Sequence, residues 1–227
     1  LLEDEVSPYL QLPAAWSELL SSVSRNLRSQ VNRRRRALER EGKLVFRTTT
    51  SGGDDLERDL QAFFRLEASG WKGRSKTAIL SDPSTEHLYG SFARAAARTG
   101  WLRLHLLELD GVPIAGDLGC HFGRGGFLIK TAFDERYARL SPGLVLRAEA
   151  LRASIAEGAR FYDFLGAPDG YKLRWTSDVR PRLVLDAYRG VWRPLILYRT
   201  RIRPALKRGR DALRGVRGSA EEADAAR

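Results

Sequence analysis

Asp163, Tyr171 and Lys172 fall close together near the C-terminal end, in the stretch Gly158-Ala-Arg-Phe-Tyr-Asp163-Phe-Leu-Gly166-Ala-Pro-Asp-Gly-Tyr171-Lys172-Leu-Arg-Trp175. Phe161 to Leu165 reads as a short apolar strand with one carboxylate inside it. The strand stops at Gly166, and Tyr171 to Trp175 reads as a short helix or turn. A carboxylate in a strand, with a cation a few residues past its end, puts charge at the mouth of a sheet. That is where α/β folds bind ligands. Asp163 could be a general base or a buried orienting carboxylate, facing opposite to Tyr162 and Phe164. Lys172 could stabilise a carbonyl oxyanion or a phosphate as a point charge. Tyr171 could simply pack. Against this stand a surface carboxylate on an edge strand and a solvated lysine. The coincidence of all three residues favours function.

A second candidate is the run Asp134-Glu-Arg136-Tyr137-Ala-Arg139-Leu-Ser141-Pro142-Gly143-Leu144. A helix that starts after a strand, with a glycine allowing close backbone approach, suits a pyrophosphate. Arg136 and Arg139 could add charge. The same residues also fit an ordinary proline-started helix on a solvated loop.

Other chemistry thins out quickly. Cys120 and His121 are neighbours on a strand and point to opposite faces, which argues against a direct pair. His87 and His105 lack metal-ligand spacing, so no metal site is expected. No G-x-G-x-x-G, P-loop or G-x-S-x-G run is present. A single cysteine excludes an internal disulfide and a cysteine metal cluster. It fits a reducing compartment, and a cytoplasmic location is expected.

The elements that must position these residues follow from pattern. Pro13 to Ser21 reads as a short helix, and Ser24 caps a second that runs to Glu41 and ends at Gly42. Its apolar stripe is Val23, Leu27, Val31 and Leu38. Its other face carries Arg25, Arg28, Arg33, Arg34, Arg35, Arg36 and Arg40, either a solvated face or a surface for RNA or an anionic carrier. Lys43 to Thr50 reads as a strand, and Leu56 to Ser69 and Pro83 to Arg98 as helices. Strands follow at 102–109, 113–122 and 127–133, with a hairpin at Asp110-Gly111. The apolar phase slips from Leu106 to Leu107, which suggests a bulge. A helix over 144–157 then crosses to strand 161–165, giving a parallel pair. A last strand is expected at Leu183 to Tyr188. Trp71 belongs most simply to a core, with an acceptor pocket as the lesser reading.

The chain has 227 residues, 39 Lys and Arg against 28 Asp and Glu, and a net charge of +11. Such a surplus favours nucleic acid, phosphorylated cofactors or acidic headgroups, and is also common in arginine-rich proteomes where it carries no message. No run reaches the roughly 18 apolar residues of a membrane helix. Residues 191–217 interleave arginines with Trp192, Leu195, Ile196 and Ile202. That pattern fits a helical tail lying on an anionic membrane surface, such as an inner membrane face, or docking against another domain. The absence of methionine leads to the expectation of a fragment that lacks an N-terminal partner domain.

Taken together, the ordered segments resemble the GNAT acyltransferase fold, and within it the BioF2-like or CelD-like acetyltransferase domain related to the FemABX peptidyltransferases. The segments that carry the resemblance are Ser24 to Gly42, Phe63 to Trp71, Phe133-Asp-Glu-Arg-Tyr137 with Ser141-Pro-Gly143, and Phe161 to Gly166 with Tyr171-Lys172. The resemblance implies an α+β fold, a mixed α/β sheet with flanking helices. It implies an acyl donor, acyl-CoA such as acetyl-CoA, held where strands 127–133 and 161–165 splay apart. Arg136, Arg139, Ser141, Gly143 and Leu144 would bind its pyrophosphate. Asp163 would act as base or amine orienter, Lys172 as electrostatic stabiliser, and Tyr171 as pocket wall or acid. The acceptor would be an amine on a small molecule or a cell-envelope or polysaccharide precursor. FemABX relatives imply an alternative donor, aminoacyl-tRNA, and a non-catalytic binding module is the third reading. The expected organisation is a helical segment at 1–42, remnant of or link to another GNAT-like half; an acyltransferase domain at 43–190; and a basic helical tail with a disordered end at 191–227.

Overall fold

The computed structural model describes residues 2–184 and residue 198. Residues Asp4–Arg182 form one compact unit. The expected tail helix over 191–217 lies outside the described residues.

The chain opens with β1 (Leu2–Gln11), followed by α1 (Trp16–Ser22) and α2 (Arg25–Glu41). Ser24 caps α2, its Oγ accepting from Leu27 N at 3.2 Å. Leu27, Val31 and Leu38 are buried along its inner stripe. Next come β2 (Leu44–Thr49), α3 (Asp54–Ser69), a short α4 (Trp71–Arg74) and α5 (Pro83–Arg98). Asp82 caps α5 through the N–H groups of Ser84 and Thr85, with Pro83 in its first turn. β3 (Leu102–Leu109), β4 (Val112–Phe122) and β5 (Gly125–Phe133) then run as a meander. A 3-10 turn (Glu135–Leu140) leads into α6 (Pro142–Ala156), β6 (Phe161–Asp163), α7 (Gly170–Leu173) and β7 (Val179–Val184).

The strands form a seven-stranded sheet in the order β2-β3-β4-β5-β6-β1-β7. The pairs β2–β3, β3–β4, β4–β5 and β1–β6 are antiparallel, and β5–β6 is parallel, as the crossover through α6 requires. Leu102, Leu104 and Leu106 pack against α3 and α5, while Leu107 and Leu109 pack with Val145 and Leu146 of α6 and Leu38 of α2. The sheet is thus buried on both faces, and α6 and α3 lie on opposite sides of it.

Two expectations are refined here. The phase slip in β3 is two-sided burial, because Leu106 and Leu107 face different clusters. The register does shift beside it: Leu107 pairs with Ala115 and Glu108 with Pro113, so the extra residue is Ile114 on β4. The last strand begins at Val179 instead of Leu183, and its expected end at Tyr188 lies outside the described residues. A further strand, β1, had no counterpart in the sequence reading. It runs beside β6, with Tyr9 opposite Asp163, Leu10 opposite Tyr162 and Gln11 opposite Phe161. Phe164 N also donates to Pro8 O at 3.0 Å.

Candidate active site

β5 and β6 pair only at Gly125–Phe161, Gly126–Tyr162 and Phe127–Asp163. Beyond that point β6 has ended, while β5 continues to Phe133. Just past the join, Leu118 pairs with Lys130 and Gly119 with Leu128, so Ile129 is an extra residue bulging out of β5. A bulge bends its strand and re-aims side chains. The strands part here, and a cavity of about 670 Å³ opens between them. One wall is β5 from Ile129 to Phe133, the second is the start of α6, and the third is the segment 166–175 after β6.

That third wall depends on Leu165, which has φ 48°, followed by Gly166 at φ 63°. The left-handed region is costly for leucine and needs surrounding contacts to hold it. Asp163 and Lys172 supply them from both sides. Asp163 Oδ1 accepts from Leu165 N at 2.8 Å and from Ser7 Oγ at 2.7 Å, and its other oxygen takes Arg180. Lys172 Nζ donates to Leu165 O and Ala167 O, both at 2.8 Å, and pairs with Asp169 Oδ2 at 3.0 Å. An ammonium has three donors, and all three are engaged.

The predicted site residues therefore separate into groups. Asp163 is buried and is absent from the cavity lining. Lys172 and Tyr171 line the cavity. Partial burial pushes the Tyr171 phenol up to about 12, with Asp117 and Asp169 adding and Arg147 opposing. The phenol thus keeps its proton at neutral pH. Ser141, Gly143 and Leu144 also line the cavity. A Cβ built on Gly143 would meet only Phe133, at 3.9 Å, so the backbone at the start of α6 is open to approach. Arg136 and Arg139 are not among the lining residues. The Arg136 guanidinium folds back onto Asp134, with Nη2 2.6 Å from Oδ2, and the Arg139 carbonyl accepts from Arg34. The side chain of Trp71 lies outside the described residues.

The sequence model of the acetyltransferase (GNAT) domain family matches residues 25–173, more than half of the chain. The chain belongs to this family. The GNAT fold is shared with solved structures at low identity. The crystal structure of FemX superposes with a TM-score of 0.60 at 15% identity, covering 77% of this chain and 59% of that one. The C-terminal domain of a putative lysylphosphatidylglycerol synthetase from Agrobacterium fabrum gives 0.53 at 12%, covering 80% and 59%. A conserved protein of unknown function from Bacteroides thetaiotaomicron gives 0.53 at 17%, covering 77% and 57%. The chain thus spans less than two thirds of the length of each of these. Comparison with curated protein sequences finds no significant match.

The GNAT cleft has a floor that sequence reasoning missed. Arg147 of α6 is only 3% exposed, yet it lines the cavity. Its Nη2 lies 2.9 Å from Asp117 Oδ1 on β4, and its Nη1 donates to the Tyr162 hydroxyl at 2.9 Å. Burial works against the Arg147 charge, but Asp117 and Tyr162 outweigh it and hold its pKa above the ordinary value. Burial pushes the Asp117 carboxyl up, against the pull of the guanidinium. A signal for this pair was present. The run Leu144-Val-Leu-Arg147-Ala-Glu-Ala-Leu151 leaves little polar stripe around Arg147, and an aspartate inside the apolar strand Ile114 to Cys120 is unfavourable unless paired.

Elsewhere in the GNAT domain, Ser154, His121 and Glu157 align like a nucleophile triad, with Ser154 Oγ 3.0 Å from His121 Nε2 and Glu157 Oε2 3.0 Å from Nδ1. Ser154 is fully buried, however, and its hydroxyl donates to Ala150 O at 2.8 Å, so it has no access to a substrate. Burial also pushes the Cys120 thiol up, away from the reactive thiolate. Among the described residues no cluster of His, Cys, Asp and Glu is arranged to hold a metal.

One buried imidazole and one carboxylate paired at the surface make the domain acid-sensitive. Burial, aided by Arg147 and His121, drives the His105 imidazole down from 6.5 to about 3. Between those values the unfolded chain binds a proton that the folded chain refuses, so stability falls as pH drops. For Glu157, burial raises the pKa, but hydrogen bonds from His121 and Arg103 outweigh it and hold the carboxyl at about 2 instead of 4.5. Its contribution is present above pH 4.5 and is lost as pH falls through 2. Thermal melts from pH 7 to pH 3 should show a steadily falling Tm, and His105→Gln should flatten the upper part of that decline. A Tm independent of pH across this window would contradict both assignments.

Proposed function

We propose that this GNAT domain is an N-acyltransferase that moves an acyl group, acetyl in the simplest case, from acyl-CoA to an amine. The observation that carries this reading is the parting of β5 and β6 beside the open start of α6. An acyl thioester laid along β5 would place its pyrophosphate against the backbone at Ser141–Gly143, where helix N–H groups favour phosphate. The amine attacks the thioester carbonyl, the C–N bond forms, the C–S bond breaks, and the amine loses a proton to solvent. The Tyr171 hydroxyl can donate a hydrogen bond to the departing thiolate, which takes its proton from solvent. Asp163 and Lys172 serve this chemistry by fixing the wall that carries Tyr171. Most of the rate enhancement then comes from holding the two reactants together. The acceptor is a small molecule or a cell-envelope precursor.

The direct test is a thermal-shift series with acetyl-CoA, longer acyl-CoAs and free CoA. A ligand at 100 times its Kd adds about 2.7 kcal/mol of stability, an upward shift of several degrees. No shift with any of them, together with no thiol release in the presence of amines, would remove acyl-CoA as donor.

A second reading has its own observation. α2 presents Arg25, Arg33, Arg36 and Arg40 to solvent, and an aminoacyl-tRNA donor would meet such a face through its phosphates. tRNA-dependent transfer without any CoA response would favour it. Binding without any turnover would favour a non-catalytic module.

A further inference from the structure

We infer that the floor of the cleft is a carboxylate-binding post built on Arg147, and that this residue sets the specificity of the transfer. The inference rests on the acyl-transfer reading above and adds the chemical class of its substrate.

Arg147 is a buried cation with one nitrogen, Nε, left without a partner among the described residues. Its two Nη groups hold Asp117 and the Tyr162 hydroxyl, each at 2.9 Å. Its guanidinium carbon lies 5.7 Å from the centre of the Tyr162 ring and 5.8 Å from that of Phe164. These contacts fix the plane of the group. Its Nε is buried and finds no hydrogen-bond acceptor among the described residues. A buried N–H on a charged group is costly when unpaired, so it calls for an oxygen acceptor. The cavity that Arg147 lines is where a ligand can bring one, and apolar Ile129, Leu144 and Trp175 share that lining.

Arg147 is already balanced by Asp117, and the charges left around the cavity, Lys130 and Arg174 against Glu67, form a surplus that favours an anionic oxygen. Asp169 is matched by Lys172 and Glu135 by Arg74. Glu67 accepts from Ile79 N at 2.8 Å. Two further lining cations are met by neutral groups: Lys130 lies over the Tyr89 ring at 5.2 Å, and Arg174 donates to Gln30 at 2.6 Å. Lys172, by contrast, has its three donors committed to the wall. Arg147 is therefore the preorganised donor at the cavity floor, and a carboxylate is the group that completes it. That carboxylate comes either with the amine acceptor, as in an amino acid, or on the acyl group, as in a dicarboxylic acyl thioester.

The test compares matched substrates by thiol release: phenylalanine against phenylalaninamide with acetyl-CoA, and succinyl-CoA against acetyl-CoA with phenylalaninamide. In one arm kcat/KM should favour the carboxylate-bearing member by about tenfold or more. The arm that responds identifies the source. Arg147→Met alone leaves Asp117 buried and unpaired and can unfold the protein, so the decisive variant is Arg147→Met with Asp117→Leu, checked by thermal melt. There the preference should fall to near unity. A structural role alone would lower turnover on both members and leave their ratio unchanged. An unchanged ratio, or no preference in either arm, overturns the inference. Should no thioester support transfer, the acyl-CoA reading fails separately. Calorimetry with phenylalanine, succinate and their amides then decides: carboxylate-dependent binding lost in the double variant sustains the post, and equal or absent binding of acids and amides sinks it.

Discussion

Replacing Arg147 with methionine should lower the stability of the domain by about 3–5 kcal/mol, the cost of stranding one member of a buried ion pair. Arg147 and Asp117 are 3% and 1% exposed, so water offers neither partner a substitute. Asp117→Leu alone should cost a similar amount, because it leaves a guanidinium in the core. The double replacement should recover most of the loss, since apolar groups of similar volume satisfy the same space without charge. Urea unfolding of the four proteins gives the coupling directly as a double-mutant cycle. Additive losses would show that the two charges do not depend on each other and would sink the account of the cleft floor. Recovery of stability without recovery of substrate preference is the combination that identifies a polar group kept for binding.

Lys172→Met should cost about 2–4 kcal/mol and reduce turnover by about a hundredfold, both through the same wall. The ammonium ties Leu165 O, Ala167 O and Asp169 into one turn. Without it the left-handed conformation at Leu165 loses one of its two restraints, and Tyr171 loses its fixed place. Lys172→Arg should fail as well. A planar guanidinium cannot reach three acceptors arranged around a point. Melting temperature and kinetics measured on the same preparations discriminate between the roles. A variant with wild-type stability and lost kcat would mean that Lys172 acts on the reacting atoms and not on the wall.

The parts of this fold that announce themselves do so through local chemistry. Ser24 before α2, Asp82-Pro83 before α5 and Asp110-Gly111 between β3 and β4 each act within four residues of themselves, and each is where the sequence places it. The clustering of Asp163, Tyr171 and Lys172 was also legible, because the turn they build is local. Their division of labour was not. It turns on Leu165, an ordinary leucine in the sequence whose backbone is forced left-handed by partners on both sides. β1 was invisible for a related reason: its partner β6 lies about 150 residues away, and such pairing leaves no local mark. Arg147 and Asp117 are 30 residues apart on different elements. Only their apolar surroundings hinted that each needed the other.

The short join between β5 and β6 has a consequence for how the domain opens. Only Gly125, Gly126 and Phe127 link β5 to Phe161, Tyr162 and Asp163. The meander β3–β4–β5 is paired along most of its length, so the seam that parts the meander from β6 and β1 lies at the root of the cleft. Helix α6 bridges it, burying Val145 and Leu146 in one apolar cluster and Ala148, Leu151 and Ile155 in another. Amide exchange should therefore release β6 and β1 together, as a cooperative unit, well before β3 and β4. A molecule seated in the cleft clips the two sides across that seam, and its protection should spread along β1, far from any atom it touches.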